Sequence, residues 1–199
     1  MNTSDLQVEH HLEAPTRVVS AWIKTHQGDK RTQLLIEVEF DPELHTSYGA
    51  PATAWINYTV GGGSDRTIMV DISLLNKTAT RLPEAMFLSF GPPGKLDWSM
   101  QKLGSWLRPN ETLDGGAKGL HAVADIGLRC SADGGKRQLT VGSLDAALLH
   151  WGVPSPFPNP CFGPVDTTAG ASYVLFNNMY NTNVRRPLAS PLIAPVGAR

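Results

Sequence analysis

The stretch that decides the fold is Ala54-Trp55-Ile56-Asn57-Tyr58-Thr59-Val60, then Gly61-Gly62-Gly63-Ser64-Asp65-Arg66, then Thr67-Ile68-Met69-Val70-Asp71-Ile72-Ser73-Leu74. Ala54, Ile56, Tyr58 and Val60 fall on one face, and Trp55, Asn57 and Thr59 on the other. After the break, Ile68, Val70, Ile72 and Leu74 alternate with Thr67, Met69, Asp71 and Ser73. Successive side chains of a strand point to opposite faces, so a period of two marks a strand with one wet side. The glycine run separates the two strands because glycine reaches positive φ without a Cβ clash. These residues predict an antiparallel hairpin.

The same reading extends in both directions. Upstream, Leu34, Ile36, Val38 and Phe40 alternate with Leu35, Glu37 and Glu39, and Val18, Val19, Trp22 and Ile23 mark a strand over 17–25. The turn-like run His26-Gln27-Gly28-Asp29-Lys30 joins them as a second hairpin. Downstream, Met86, Leu88 and Phe90 share one face of a strand that Gly91-Pro92-Pro93-Gly94 stops. Residues 97–107 carry Trp98, Leu103, Trp106 and Leu107 and fit a short helix or a draped loop. A third hairpin is expected, led in by 120–129, turning on Gly134-Gly135 and returning over 138–144. Residues 152–172 read as a long loop, and Tyr173 to Phe176 as a short apolar strand.

Sequential hairpins without long helices imply antiparallel sheet. Apolar side chains confined to alternate positions favour two sheets packed face to face over a closed barrel. The expectation is a mainly β chain with one antiparallel β-sandwich domain over 17–183. Residues 1–16 then form a linker or frayed N-terminus, and 184–199 a proline-rich tail.

Composition narrows the partners. The 199 residues carry a formal net charge of -1. No basic stripe stands out beyond the isolated pair Arg185-Arg186, so neither nucleic acid nor an anionic membrane is expected. No apolar run has the length to span a bilayer, and the polar start Met1-Asn2-Thr3-Ser4-Asp5 does not read as a secretory signal. Cys130 and Cys161 do not make a disulfide framework and are expected as thiols. Four sequons, at Asn2, Asn57, Asn76 and Asn110, would be surface sites if the parent protein is secreted, which leaves the compartment open.

Few residues carry chemistry. No Gly-x-Ser-x-Gly elbow is present, and the six histidines lack metal-ligand spacing. His121 reads as a hydrogen-bonded rim histidine. Glu84 and Asp145 are carboxylates flanked by apolar residues at strand ends, where they serve either as cleft-facing groups or as ordinary ion-pair members, Glu84 with Arg81 for example. Asn177, Asn178, Asn181 and Asn183 form a dense amide cluster around Tyr180, with Tyr173 and Phe176 close by in sequence. Amides donate and accept at once, which suits sugar hydroxyls, and aromatic rings suit the apolar face of a pyranose. Turn chemistry is the competing explanation for the asparagines.

Several segments resemble a known family. Tyr48-Gly49-Ala50-Pro51, Ala79-Thr80-Arg81-Leu82-Pro83-Glu84-Ala85, Leu120-His121-Ala122-Val123, Ser143-Leu144-Asp145-Ala146 and the 177–183 asparagine cluster occur in the order found in the C-terminal region of glycoside hydrolase family 38-like proteins, named after the α-mannosidases. The resemblance spans residues 48–183. It implies a β-sandwich of the galactose-mutarotase-like supersandwich type beside an upstream α/β catalytic domain that holds zinc and the carboxylate nucleophile. No residue of this chain matches those catalytic motifs, so no catalytic residue, metal ligand or cofactor is assigned to it.

Two departures stand out: Tyr180-Asn181 replaces the family's usual Trp-Gly pair, and Val184-Arg185-Arg186-Pro187-Leu188 stands where the family has a further aromatic-rich strand. The sandwich is therefore expected to be incomplete at its C-terminus, with an unpaired sheet edge. The resemblance points to a non-catalytic β domain bordering a sugar cleft, with Arg81, Glu84 and Asp145 facing it and the asparagine cluster binding carbohydrate. A stand-alone carbohydrate-binding module and an inactive fragment are the alternatives.

Overall fold

A computed structural model describes residues 12–28, 30–61, 66–80, 82–113, 118–154 and 163–178. The protein is mainly β, with three four-stranded antiparallel sheets and no barrel. The chain divides into two compact units, residues 1–80 and 81–199.

The first unit is an antiparallel meander in the order β1-β2-β3-β4, formed by β1 (Thr16–Thr25), β2 (Thr32–Phe40), β3 (Thr53–Val60) and β4 (Ile68–Leu75). Its register sets Ile36 beside Ile56 and Ile56 beside Ile72, with Leu34, Tyr58 and Val70 in the next row. One face is therefore apolar on all four strands, as the alternation predicts. On the other face Trp22 and Trp55 stack across β2, ring centroids 5.5 Å apart.

Between β2 and β3 lies α1 (Pro42–Tyr48), which hydrophobic periodicity does not reveal because it is short and buries none of its residues. Its signals are its caps. Asp41 Oδ1 accepts from Glu43 N and Leu44 N at 2.8 and 3.1 Å, and Pro42 stands at the first turn, where no N–H is needed. Gly49 closes the helix at φ 72, where a Cβ would also overlap Thr80.

The second unit is a sandwich. One sheet has the order β5-β12-β11-β8, from β5 (Glu84–Phe90), β12 (Ala171–Asn178), β11 (Leu148–Trp151) and β8 (Leu120–Ala122). The other has the order β10-β9-β6-β7, from β10 (Arg137–Val141), β9 (Leu128–Ala132), β6 (Asp97–Lys102) and β7 (Ser105–Leu107). Trp98, Met100, Leu128 and Cys130 from the second sheet meet Leu149, Trp151, Ala171 and Tyr173 from the first in one buried core. The Tyr173 hydroxyl donates to Val141 O at 3.1 Å, and burial pushes its pKa up to about 12. Cys130 is a free, buried thiol whose pKa is raised by desolvation, the Leu139 backbone opposing. Cys161 lies outside the described residues.

Three sequence expectations need correction here. Residues 97–107 are neither helix nor draped loop but the β6–β7 hairpin, turning on Leu103 and Gly104 at φ 49 and 80. Two successive positive-φ residues match the twist of the flanking strands, and they leave Leu103 wholly exposed at the tip instead of on a helix face. The third hairpin does form, as β9–β10, but Leu120–Ala122 separates from it and pairs with β11 in the opposite sheet. The short strand expected at Tyr173 to Phe176 extends over Ala171–Asn178 and lies inside its sheet, paired with both β5 and β11.

Candidate functional site

The β5–β12 pairing brings sequence-predicted residues together. Glu84 opens β5 and sits opposite Asn178 at the close of β12, with Asn177 opposite Ala85. Asn178 Nδ2 donates to Leu82 O at 3.2 Å, which ties the end of β12 to the segment entering β5. Both asparagines continue the strand, so turn chemistry does not account for them. Asn177 is exposed, while Asn178 and Glu84 are half-buried.

Asp145 stands on the turn that leads into β11, whose pairing with β12 covers Leu149–Tyr173 to Trp151–Ala171 and does not reach Asn178. Ser143 Oγ accepts from Ala146 N at 2.9 Å, and Ser143 N donates to Asp125 O at 2.9 Å, so the turn is braced on both sides. Asp145 is exposed on it. One amide and one carboxylate, Asn178 and Glu84, thus face each other across the pair, a donor and acceptors suited to hydroxyls, while Asn177 belongs to the other face of the strand. Arg81, Tyr180, Asn181 and Asn183 lie outside the described residues.

The buried histidines occupy structural niches. His121 Nε2–H donates to Lys118 O at 2.6 Å, and its Nδ1 then accepts from Lys102 Nζ at 3.3 Å. Burial lowers its pKa, the Lys118 carbonyl opposes, and the Lys102 charge lowers it further. It is more deeply buried than a rim position implies. His150, on the other face of β11, meets the edge of Phe87, and its Nδ1 has no hydrogen-bond partner. Burial lowers its pKa as well, against the Trp151 backbone. Among the described residues no group of three or more His, Cys, Asp or Glu side chains is arranged to hold a metal ion.

The opposite end of this sheet, where β5 finishes and β12 begins, is hollowed. Two cavities of about 260 and 360 Å³ share Leu96, Trp98 and Thr167 as common wall. Sequence reading finds only a strand stop in Gly91-Pro92-Pro93-Gly94, because the hollow is assembled from segments far apart in the chain.

Comparison with family models, with curated proteins and with solved structures yields no match.

Proposed function

We propose that this chain is the non-catalytic β domain of an α-mannosidase-like glycoside hydrolase, and that the Glu84–Asn178 end of its β5–β12 pair borders the sugar cleft of a partner α/β catalytic domain. The observation that supports the reading is the register placing Glu84 opposite Asn178, two residues that the sequence marks separately. A carboxylate accepts from sugar hydroxyls and an amide does both, so this rim supplies orientation to a glycan. Glycoside hydrolysis needs two carboxyls across one scissile bond, and in α-mannosidase-like enzymes the nucleophile belongs to the catalytic domain.

The test is an assay of the purified chain against an aryl α-mannoside with and without added zinc. No turnover is expected in either case, and turnover that follows the protein through a sizing column overturns the reading.

A second reading, a stand-alone carbohydrate-binding module, is favoured by the exposed amide of Asn177. Calorimetric titration with mannose and oligomannosides separates the two. Heat that disappears in Asn178→Ala assigns binding to the isolated domain, and no heat with any of these sugars overturns the binding-module reading.

A further inference from the structure

We infer that the apolar face of the first unit's meander is a docking surface for a second copy of this chain, the two sheets packing face to face about a twofold axis. This assignment is independent of the Glu84–Asn178 rim, which belongs to the second unit.

Register assembles the face. Ala21 and Ile23 of β1 stand beside Ile36 and Leu34 of β2, so the rows through Ile56 and Tyr58 extend across all four strands. A third row ends in Val60 and Ile68. None of the three rows contains an Asp, Glu, Lys or Arg. Ile23, Val60, Ile68 and Val70 are all exposed, whereas Val38 and Ala54, farther along the same face, are buried. Single exposed apolar residues are ordinary, but a contiguous apolar patch over four strands marks an interaction surface.

The size of the patch suits a second copy. Four strands at ~4.8 Å and six residues at ~3.4 Å present roughly 400 Å² of flat area, and side-chain relief adds to it. Two copies together then bury on the order of 1,000 Å², enough for a weak, reversible dimer. Charge points the same way. A partner that binds through ion pairs finds no group to pair with on this face, and a second uncharged sheet of the same twist needs none. The second unit covers its own apolar sheet in this manner, with the inner face of another antiparallel sheet. A twofold axis covers both meander faces at once and closes the assembly.

Two further features oppose growth beyond two copies. The opposite face of the meander carries Glu37, Asp71 and the Arg17–Glu39 ion pair at 2.7 Å, so it stays in water. Along the outer edge, the register of β1 shifts between Val18 and Ser20, and such a bulge turns an edge away from pairing with another strand.

The experiment is sedimentation equilibrium of the full chain from ~2 to ~500 µM. A reversible monomer–dimer equilibrium is expected, with a Kd of roughly 10–100 µM for an interface of this size without a charged anchor. At ~1 µM protein the dimer is then dissociated and the face is wet. Ile68→Lys places an unpaired ammonium in the interface twice and is expected to raise Kd about a hundredfold. Ile68→Thr keeps the β-branched shape that strands favour and raises Kd about tenfold. Met69→Lys alters the next residue of β4, exposed on the charged face, and leaves Kd unchanged. Thermal unfolding at low protein concentration shows that each variant is folded. Added sodium chloride leaves the dimer intact, because no ion pair crosses the interface. A chain that stays monomeric to ~500 µM, its face covered from within the chain or by a different partner, overturns the assignment. So do an open-ended series of larger species, dissociation by salt, or equal responses to Ile68→Lys and Met69→Lys.

Discussion

In the meander of the first unit Ile23 is 74% exposed and Ile68 60%, whereas in the sandwich of the second Met100, Leu128 and Leu149 are all at 0%. Both units are made of the same antiparallel hairpins with the same alternation, so the difference does not lie in strand pattern. A four-stranded sheet has two faces; Val38, Phe40 and Ala54 are buried at one end of the meander, but α1 buries none of its own residues and the rows at the other end stay exposed. In the second unit the inner faces of two sheets cover each other, and every strand that contributes an apolar row finds a facing row. Alternation specifies which side chains share a face, and only a second layer takes that face out of water.

Four measurements sharpen or break this contrast. The largest effect belongs to the sandwich core. Leu149→Ala is expected to cost about 3 kcal/mol in urea unfolding, because a fully buried leucine leaves a cavity, while Ile23→Ala costs less than ~1 kcal/mol. Equal losses would mean that the meander face is covered as well as the sandwich core.

Next is Gly170→Ala, which meets Phe90 O and also takes an alanine to φ 83. A loss of about 2 kcal/mol is expected from strain and displacement together. Gly94→Ala provides the control, since φ 106 strains it but nothing lies within 4 Å of its Cβ.

Trp22→Ala comes third. The ring is 47% exposed and gives up its stack on Trp55, so about 1 kcal/mol is expected. A much larger loss would show that the indole pair organises the meander.

The smallest effect at neutral pH is the titration of the buried histidines. His121 and His150 both have folded pKa values below the ordinary 6.5. The unfolded chain therefore takes up protons first as pH falls, and stability declines below about pH 6.5 until the folded pKa values are passed. Above that pH neither contributes a slope. Replacing His150 by phenylalanine is expected to flatten part of the decline in denaturation midpoints measured from pH 7.5 to 5, and an unaltered slope would assign it to His121 or to other groups.

The sequence was most legible where one face of a strand is consistently apolar. Strands β2, β3 and β4 follow directly from Leu34 to Phe40, Ala54 to Val60 and Ile68 to Leu74, because alternation is a local property. The β6–β7 hairpin was not legible, since β7 has three residues and Leu103, which looks like part of an apolar stripe, is the exposed tip of a turn. Helix α1 is signalled only by Asp41, Pro42 and Gly49 at its ends.

For the candidate rim, local residue chemistry singled out Glu84, Asn177 and Asn178 one by one. Their gathering depends on pairing β5 with a strand more than eighty residues away, and no local pattern encodes that. The groove was invisible for the same reason. Pro92, Lys95, Arg108 and Thr167 are ordinary loop residues until three segments are folded against one another.

Cys130 gives the sandwich a chemical clock. Its thiol lies inside the core between Trp98 and Leu139, its register partners on either side, and desolvation keeps it protonated. An alkylating reagent reacts with thiolate, so it has no purchase until the sheets part. In a chain with Cys161 replaced by serine, the labelling rate at saturating reagent equals the frequency with which the two layers separate. The dose-dependence at low reagent gives the free energy of that opening, and each residue of the core can be ranked by how far its replacement speeds the clock.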